Sequence, residues 1–163
     1  MLRAAKALEA IVRTIGATLS WAALAPMIVF AALEPVSRWL DAQALPFGEA
    51  ATSAFFALTM LSLGYAYVAG AHVRLDFFSL RFAPRTRAAI ELGGVLLIVL
   101  PLCLVVIADG TQSAWRSLQQ GEHWGGTALA LQWLVRGCVA LGFLLLLLAG
   151  IAAALRALDT LRR

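Results

Sequence analysis

The groups in this sequence that could do chemistry are few and far apart. They are two histidines, His72 and His123, two cysteines, Cys103 and Cys138, and one arginine, Arg136, set beside an apolar run. A haem iron in a helical bundle needs histidines that face each other within helices. The spans laid out below put His72 and His123 at opposite membrane surfaces, so they cannot share one iron. Both cysteines lie in apolar runs rather than loops, which reads as small core residues and argues against a disulfide framework or a metal site. Serines and threonines are scattered, with no histidine–carboxylate pair at membrane depth to activate one of them. No glycine-rich loop ending in Lys-Ser/Thr is present, so nothing points to ATP use. The expectation is a protein that is not an enzyme and carries no cofactor and no metal.

Ionisable groups inside a bilayer are costly and often mark ion paths or proton relays. The first three apolar runs have none in their cores. Arg136 is the exception. If the last helix starts near Thr127, Arg136 sits about 13 Å inside its end. Its charge either snorkels outward or pairs with Asp109 or Glu122. A chain this poor in buried carboxylates is a weak candidate for a self-sufficient proton-coupled carrier. It also lacks the pair of matched, interrupted spans that marks many transport sites.

The elements that must position these groups follow from composition. Of the 163 residues, 62% are apolar and 13% charged, against about half and about a quarter in soluble domains. Crossing the hydrocarbon core takes about 20 apolar residues. The charge-free runs 14–33, 50–73, 92–108 and 137–155 meet or approach that length. The third is extended by residues 110–115 and the fourth by an earlier start. The runs are continuous and rich in Ala and Leu, without the alternation of a transmembrane barrel. The fold class expected is therefore an all-α integral membrane protein. It forms a single four-helix domain over residues 1–163, with spans at about 14–35, 50–72, 88–112 and 128–155 and short amphipathic interfacial segments. Pro26 and Pro101 fall inside spans and are expected to kink them. The first span is read as an uncleaved helix, being too long for a signal-peptide core and followed by no clean small-residue cleavage site.

Lys and Arg counted by segment run 3 before the first span, then 1, 4, 1, and 3 in the tail. Positive residues favour the cytoplasmic side, which places both termini and the middle loop there. Trp39, Trp115, Trp124 and Trp133 fall near the opposite ends of the spans, where amphipathic rings sit at the interface. Trp21 lies deeper and is expected to pack against another helix. The first dozen residues, with Leu2, Leu8, Ile11 and Val12, suggest a short surface helix continuous with the first span. Residues 76–82 also read as interfacial. Two small-residue pairs at i, i+4, Ala66/Gly70 and Cys138/Gly142, are weak signals of close helix packing.

Two charged motifs remain. Glu34 and Arg38 are four apart and can pair on a helix surface. His72, Arg74 and Asp76 sit in the stretch HVRLD, where His72 and Asp76 share a helix face. Arg74 lies at the membrane surface, within reach of lipid phosphate or a partner's carboxylate. The plainer alternative is a solvated helix end.

The stretch from Glu34, EPVSRW followed by LPFGEAATSAFFALTMLSLGYAYVAGAHVRLDFF, resembles the small permease subunit of tripartite ATP-independent periplasmic (TRAP) transporters, DctQ-like. Matching positions are Ser37-Arg38-Trp39 after the first span, Glu49 opening the second, Gly64 and Gly70 within it, and His72 to Asp76 at its end. Leu131-Gln132-Trp133, followed by Val139 to Phe143, is similar to the family's opening of the last span. Val68 and Ala71 depart from it, standing where more polar residues are common. The resemblance implies a scaffold or anchor subunit of a sodium-coupled transporter in the bacterial inner membrane. It implies two protein partners: a large multi-span permease subunit that translocates organic acid anions and a periplasmic substrate-binding protein; membrane lipids are the further partner expected from the placement of Arg74 at the membrane surface. Nucleic acid is not expected. The positions expected to meet a partner or lipid are Glu34, Arg38, Trp39, Glu49, His72, Arg74, Asp76, Trp133 and Arg136. From other classes, an autonomous carrier or channel formed by self-association, or an assembly or sensor subunit, is also compatible with the composition.

Overall fold

The computed structural model describes residues 2–40, 47–70, 83–122 and 132–162. They form α1 (Leu2–Trp39), α2 (Phe47–Val68), α3 (Pro84–Gly94), α4 (Leu100–Gln120) and α5 (Gln132–Arg162). A five-residue π turn, Val95–Val99, joins α3 to α4. Among the described residues there is no strand. Four helical stretches are long and apolar enough to cross a membrane: α1, α2, the continuous run Arg85–Gln120, and α5. Helix is the form such sequence must take, because within hydrocarbon each backbone N–H and C=O has to be satisfied inside its own segment.

The spans alternate in direction. Phe30 of α1 stacks on Phe47 of α2 at 6.3 Å, and Gly16 of α1 lies against Tyr65, so α1 and α2 are antiparallel. Gly110 faces Ala140, and Gly150 faces Val99, so α4 and α5 are antiparallel as well. Met60 meets Gly142 and Gly64 meets Leu145, which makes α2 and α5 parallel. Glu9, near the start of α1, pairs with Arg156, near the end of α5, at 2.8 Å. The start of α1 and the end of α5 therefore lie at the same end of the bundle.

The last helix is the axis of the molecule. Helices α1, α2, α3 and α4 all pack on α5. Nine residues of α5 are buried, against four of α1 and three of α2. Most of the nine are Ala or Gly, which lets several neighbours approach at once. Lipid is as apolar as leucine, so association here depends on van der Waals contact at short range. Gly142 supplies the closest approach: a Cβ added there would run into the carbonyl of Met60. A Cβ on Gly64 would come within 2.7 Å of the Leu145 backbone.

The two small-residue signals fare differently. Gly142 of the Cys138/Gly142 pair does sit at a helix crossing. Gly70 of the Ala66/Gly70 pair does not pack, having nothing within 4 Å. It ends α2 instead, with φ +69° and its N–H donated to the Tyr67 carbonyl at 3.2 Å. Glycine reaches that left-handed conformation without the Cβ clash other residues meet.

One expectation changes against the structure, and two gain detail. The first dozen residues are helical and continue into the first span without a break. Of their apolar residues Leu2 and Ile11 are exposed, at 37% and 47%, while Val12 is buried. The seam that packs is Ala5, Val12 and Gly16, with Glu9 between them, spaced four, three and four residues apart. The reason is length: 38 residues make about 57 Å of helix against roughly 30 Å of hydrocarbon. The surplus turns lie alongside α5, which at 31 residues is also longer than the hydrocarbon requires. Trp21, expected to pack against another helix, is 71% exposed. Pro101 acts through the turn before it. Proline cannot donate to the Leu97 carbonyl and crowds it. The π turn, closed by the Leu100 N–H on the Val95 carbonyl, opens the coil there.

Candidate functional site

Antiparallel packing gathers the end of α1, the start of α2, the end of α4 and the start of α5 at one end of the bundle. Six of the nine expected interface residues fall there: Glu34, Arg38, Trp39, Glu49, Trp133 and Arg136. The other three, His72, Arg74 and Asp76, lie outside the described residues, as do His123, Trp124 and the segment 76–82.

Glu34 organises the α1–α2 corner. Its Oε1 accepts from Arg38 Nε at 2.9 Å and lies 2.8 Å from Arg38 Nη2. The same carboxylate covers Gly48 in the first turn of α2, where an added Cβ would come within 3.0 Å of it. Negative charge is favoured at a helix N-terminus, where unpaired backbone N–H groups gather. Glu34 thus serves one cation and one helix end together. Ser37 is buried and donates to the Glu34 carbonyl at 2.8 Å, while Trp39 is 90% exposed. The Arg38 side chain is 79% exposed, so the ion pair itself is weak. We expect Glu34→Ala to lower stability by about 0.5–1 kcal/mol. A thermal-shift assay in detergent would show it, with a smaller difference at high salt.

Arg136 resolves the question its sequence position raised. Its Nη2 lies 2.6 Å from Glu122 Oε2, and its Nη1 donates to Ser113 Oγ at 3.2 Å. Of the two carboxylates considered, Glu122 is the partner. Local structure brings it there. Gly121, at φ +59°, ends α4 in a left-handed turn, with its N–H on the Leu118 carbonyl and the Glu122 N–H on the Ser117 carbonyl. That wrapped C-terminus turns Glu122 back toward α5. The planar guanidinium then ties the end of α4 to the start of α5 through two separate donors. Asp109 is exposed on α4 and lines the same cleft, of about 580 Å³, together with Thr52, Ser113, Gln132 and Arg136.

Sequence reasoning missed Ser113, Gly48 and the Glu9–Arg156 pair. Only Gly48 lies within a quoted motif, where it was not singled out, and each acts through a partner on another helix. Along the spans, hydroxyls are spent locally. Thr18, Ser20, Thr52, Thr59, Ser62 and Thr111 each donate to a carbonyl three or four residues back. Among the described residues no group of three His, Cys, Asp or Glu side chains could hold a metal ion.

The fold and this end of the bundle define a small multi-pass membrane protein with long apolar faces along its spans and ion pairs near its helix ends. Residues 27–160 match the family of tripartite ATP-independent periplasmic transporters, DctQ component, and the chain belongs to that family. It is accordingly a small permease component of such a transporter. Neither a curated protein nor a solved structure matched the chain.

Proposed function

We propose that the chain is the scaffold subunit of a sodium-coupled transporter for organic acid anions. It packs on a large subunit that carries the substrate and cooperates with a periplasmic binding protein. The observation that carries this reading is how its polar groups are used. Most hydroxyls described within the spans bond to their own helices, and Arg136 is engaged by Glu122 and Ser113. A solute crossing the membrane would find few free ligands, whereas a partner helix would find long apolar faces. Membership of the DctQ family supplies the kind of assembly.

In this reading both termini are cytoplasmic. The 3, 1, 4, 1, 3 distribution of basic residues supports that orientation, and the Glu9–Arg156 pair agrees with termini on one side. Glu34, Arg38, Trp39, Glu49 and Trp133 then face the periplasmic side. There Trp39 and Glu49 are the exposed contacts offered to a partner. His72, Arg74 and Asp76 meet the large subunit or lipid phosphate at the cytoplasmic surface.

The test is co-purification and uptake. A tagged chain extracted in mild detergent should retain a large membrane subunit, and deleting its gene should abolish uptake of an organic acid. Retention of no partner, with uptake intact after deletion, would refute the assignment. Transport by the chain alone in vesicles would replace it with an autonomous carrier.

A further inference from the structure

Packing along the α1–α2–α5 group is uneven. In one half, Gly16, Gly64 and Gly142 bring backbones together. In the other half the three helices leave a cleft of about 540 Å³, lined by α1 within residues 19–30, α2 within 53–61 and α5 within 133–141. The cleft exists because its walls are small where a core would be large: Ala22 and Ala23, Ala54 and Ala57, and Gly137, with Pro26 opposite. A Cβ on Gly137 would meet nothing within 4 Å.

We propose that this cleft binds one acyl chain of a phospholipid from the adjoining leaflet. Two observations select that occupant. The first is chemistry. Apart from the Ser53 hydroxyl and the Trp133 indole, the lining side chains are hydrocarbon or thiol. Water needs two to four polar partners to settle, so it does not fill the space. The second is depth. The stretch of α1 that lines the cleft is 11 residue steps long, about 16 Å at 1.5 Å each, and a leaflet contributes about 15 Å of hydrocarbon. The cleft begins at Phe30 and Trp133, near the membrane surface, and ends at the tight glycine crossings near mid-bilayer. The inference rests on the membrane-spanning fold alone and is independent of the transporter partner.

The purified chain would be placed in phosphatidylethanolamine/phosphatidylglycerol vesicles doped with a phospholipid bearing a diazirine on its acyl chain, irradiated, and mapped by peptide mass spectrometry. Labelling should concentrate on residues 19–30, 53–61 and 133–141. Gly137→Leu, which fills open space without a backbone clash, should reduce that labelling about tenfold, the scale expected when a few methylene contacts are lost. Ala57→Phe fills the cleft from the opposite wall and should act alike. Gly93→Leu, also in open space but on α3, should leave the labelling unchanged. Label spread evenly over the exposed faces, or unaffected by Gly137→Leu and Ala57→Phe alike, would overturn the proposal. So would a benzophenone side chain at position 57 that crosslinks to a co-expressed membrane protein instead of lipid.

Discussion

Gly142→Ala is expected to be the most damaging single-methyl addition in this chain. Its new Cβ would enter the space held by the Met60 carbonyl. A backbone atom cannot turn aside as a side-chain tip can, so α2 and α5 must separate. Overpacking of this kind costs typically 1–3 kcal/mol, and a backbone contact at the hub belongs at the upper end, about 3 kcal/mol. The loss is amplified because the same helix carries α1, α3 and α4. Gly64→Ala should behave similarly, with a Cβ 2.7 Å from Leu145 backbone and side chain. Gly137→Ala is the internal control: it lies on the same helix, one turn and a half away, and meets nothing. The measurement is the fraction of purified protein that stays monodisperse after graded heating in detergent. Equal survival of Gly142→Ala and Gly137→Ala would show that the α2–α5 crossing is not the close contact described.

Arg136→Met should produce the second large effect. It retains most of the side chain's apolar bulk and removes the charge, leaving Glu122 without its cation and Ser113 without its donor. Breaking a fully buried pair costs about 3–5 kcal/mol. Here the two side chains are 36% and 30% exposed, so water recovers part of that and about 2 kcal/mol is expected. Arg136→Lys should recover only part, because one ammonium on a flexible stem does not reproduce a planar fork that reaches two acceptors. The informative measurement is the double-mutant cycle. Arg136→Met combined with Glu122→Gln should be less destabilised than the sum of the single changes, since no unpaired carboxylate remains. Additive losses would mean that the pair is not coupled.

Much of this fold was readable from composition, because the bilayer restricts a long apolar run to one solution. The number of spans and their helical character needed no tertiary information. Arg136 was singled out for the same reason: a cation beside an apolar run must find something, and Glu122 was among the choices. What sequence could not supply was selection among equals. The chain is so rich in Ala and Gly that Gly70 and Gly142 carried similar signals, yet one ends a helix and the other sits in a crossing. Trp21 was expected to pack inward because it lies away from the interfaces. In a bilayer, however, an exposed indole mid-span loses far less than it would in water, so depth does not predict facing. The seam Ala5–Val12–Gly16 was only partly visible for a related reason. Val12 stood out as apolar, but Ala5 and Gly16 are less apolar than the exposed Leu2 and Ile11, and ranking by hydrophobicity passes over positions where packing runs on small size. In the candidate site, Glu34 and Arg38 were legible as an i, i+4 pair. The contact of Glu34 with Gly48 was not, since it depends on how α1 and α2 meet.

The placement of α5 has a bearing on biogenesis. The helix on which all the others rest is made after them, so the four earlier helices enter the membrane without it. Helices α1 and α2 can pair with each other in the interval. Helices α3 and α4 have α5 as their main inter-helix partner, and they must wait in lipid until it arrives. A ribosome that stalls before α5 is made therefore leaves an α1–α2 pair beside an unsupported α3–α4 segment, and membrane proteases that survey unassembled helices have their opportunity in that window.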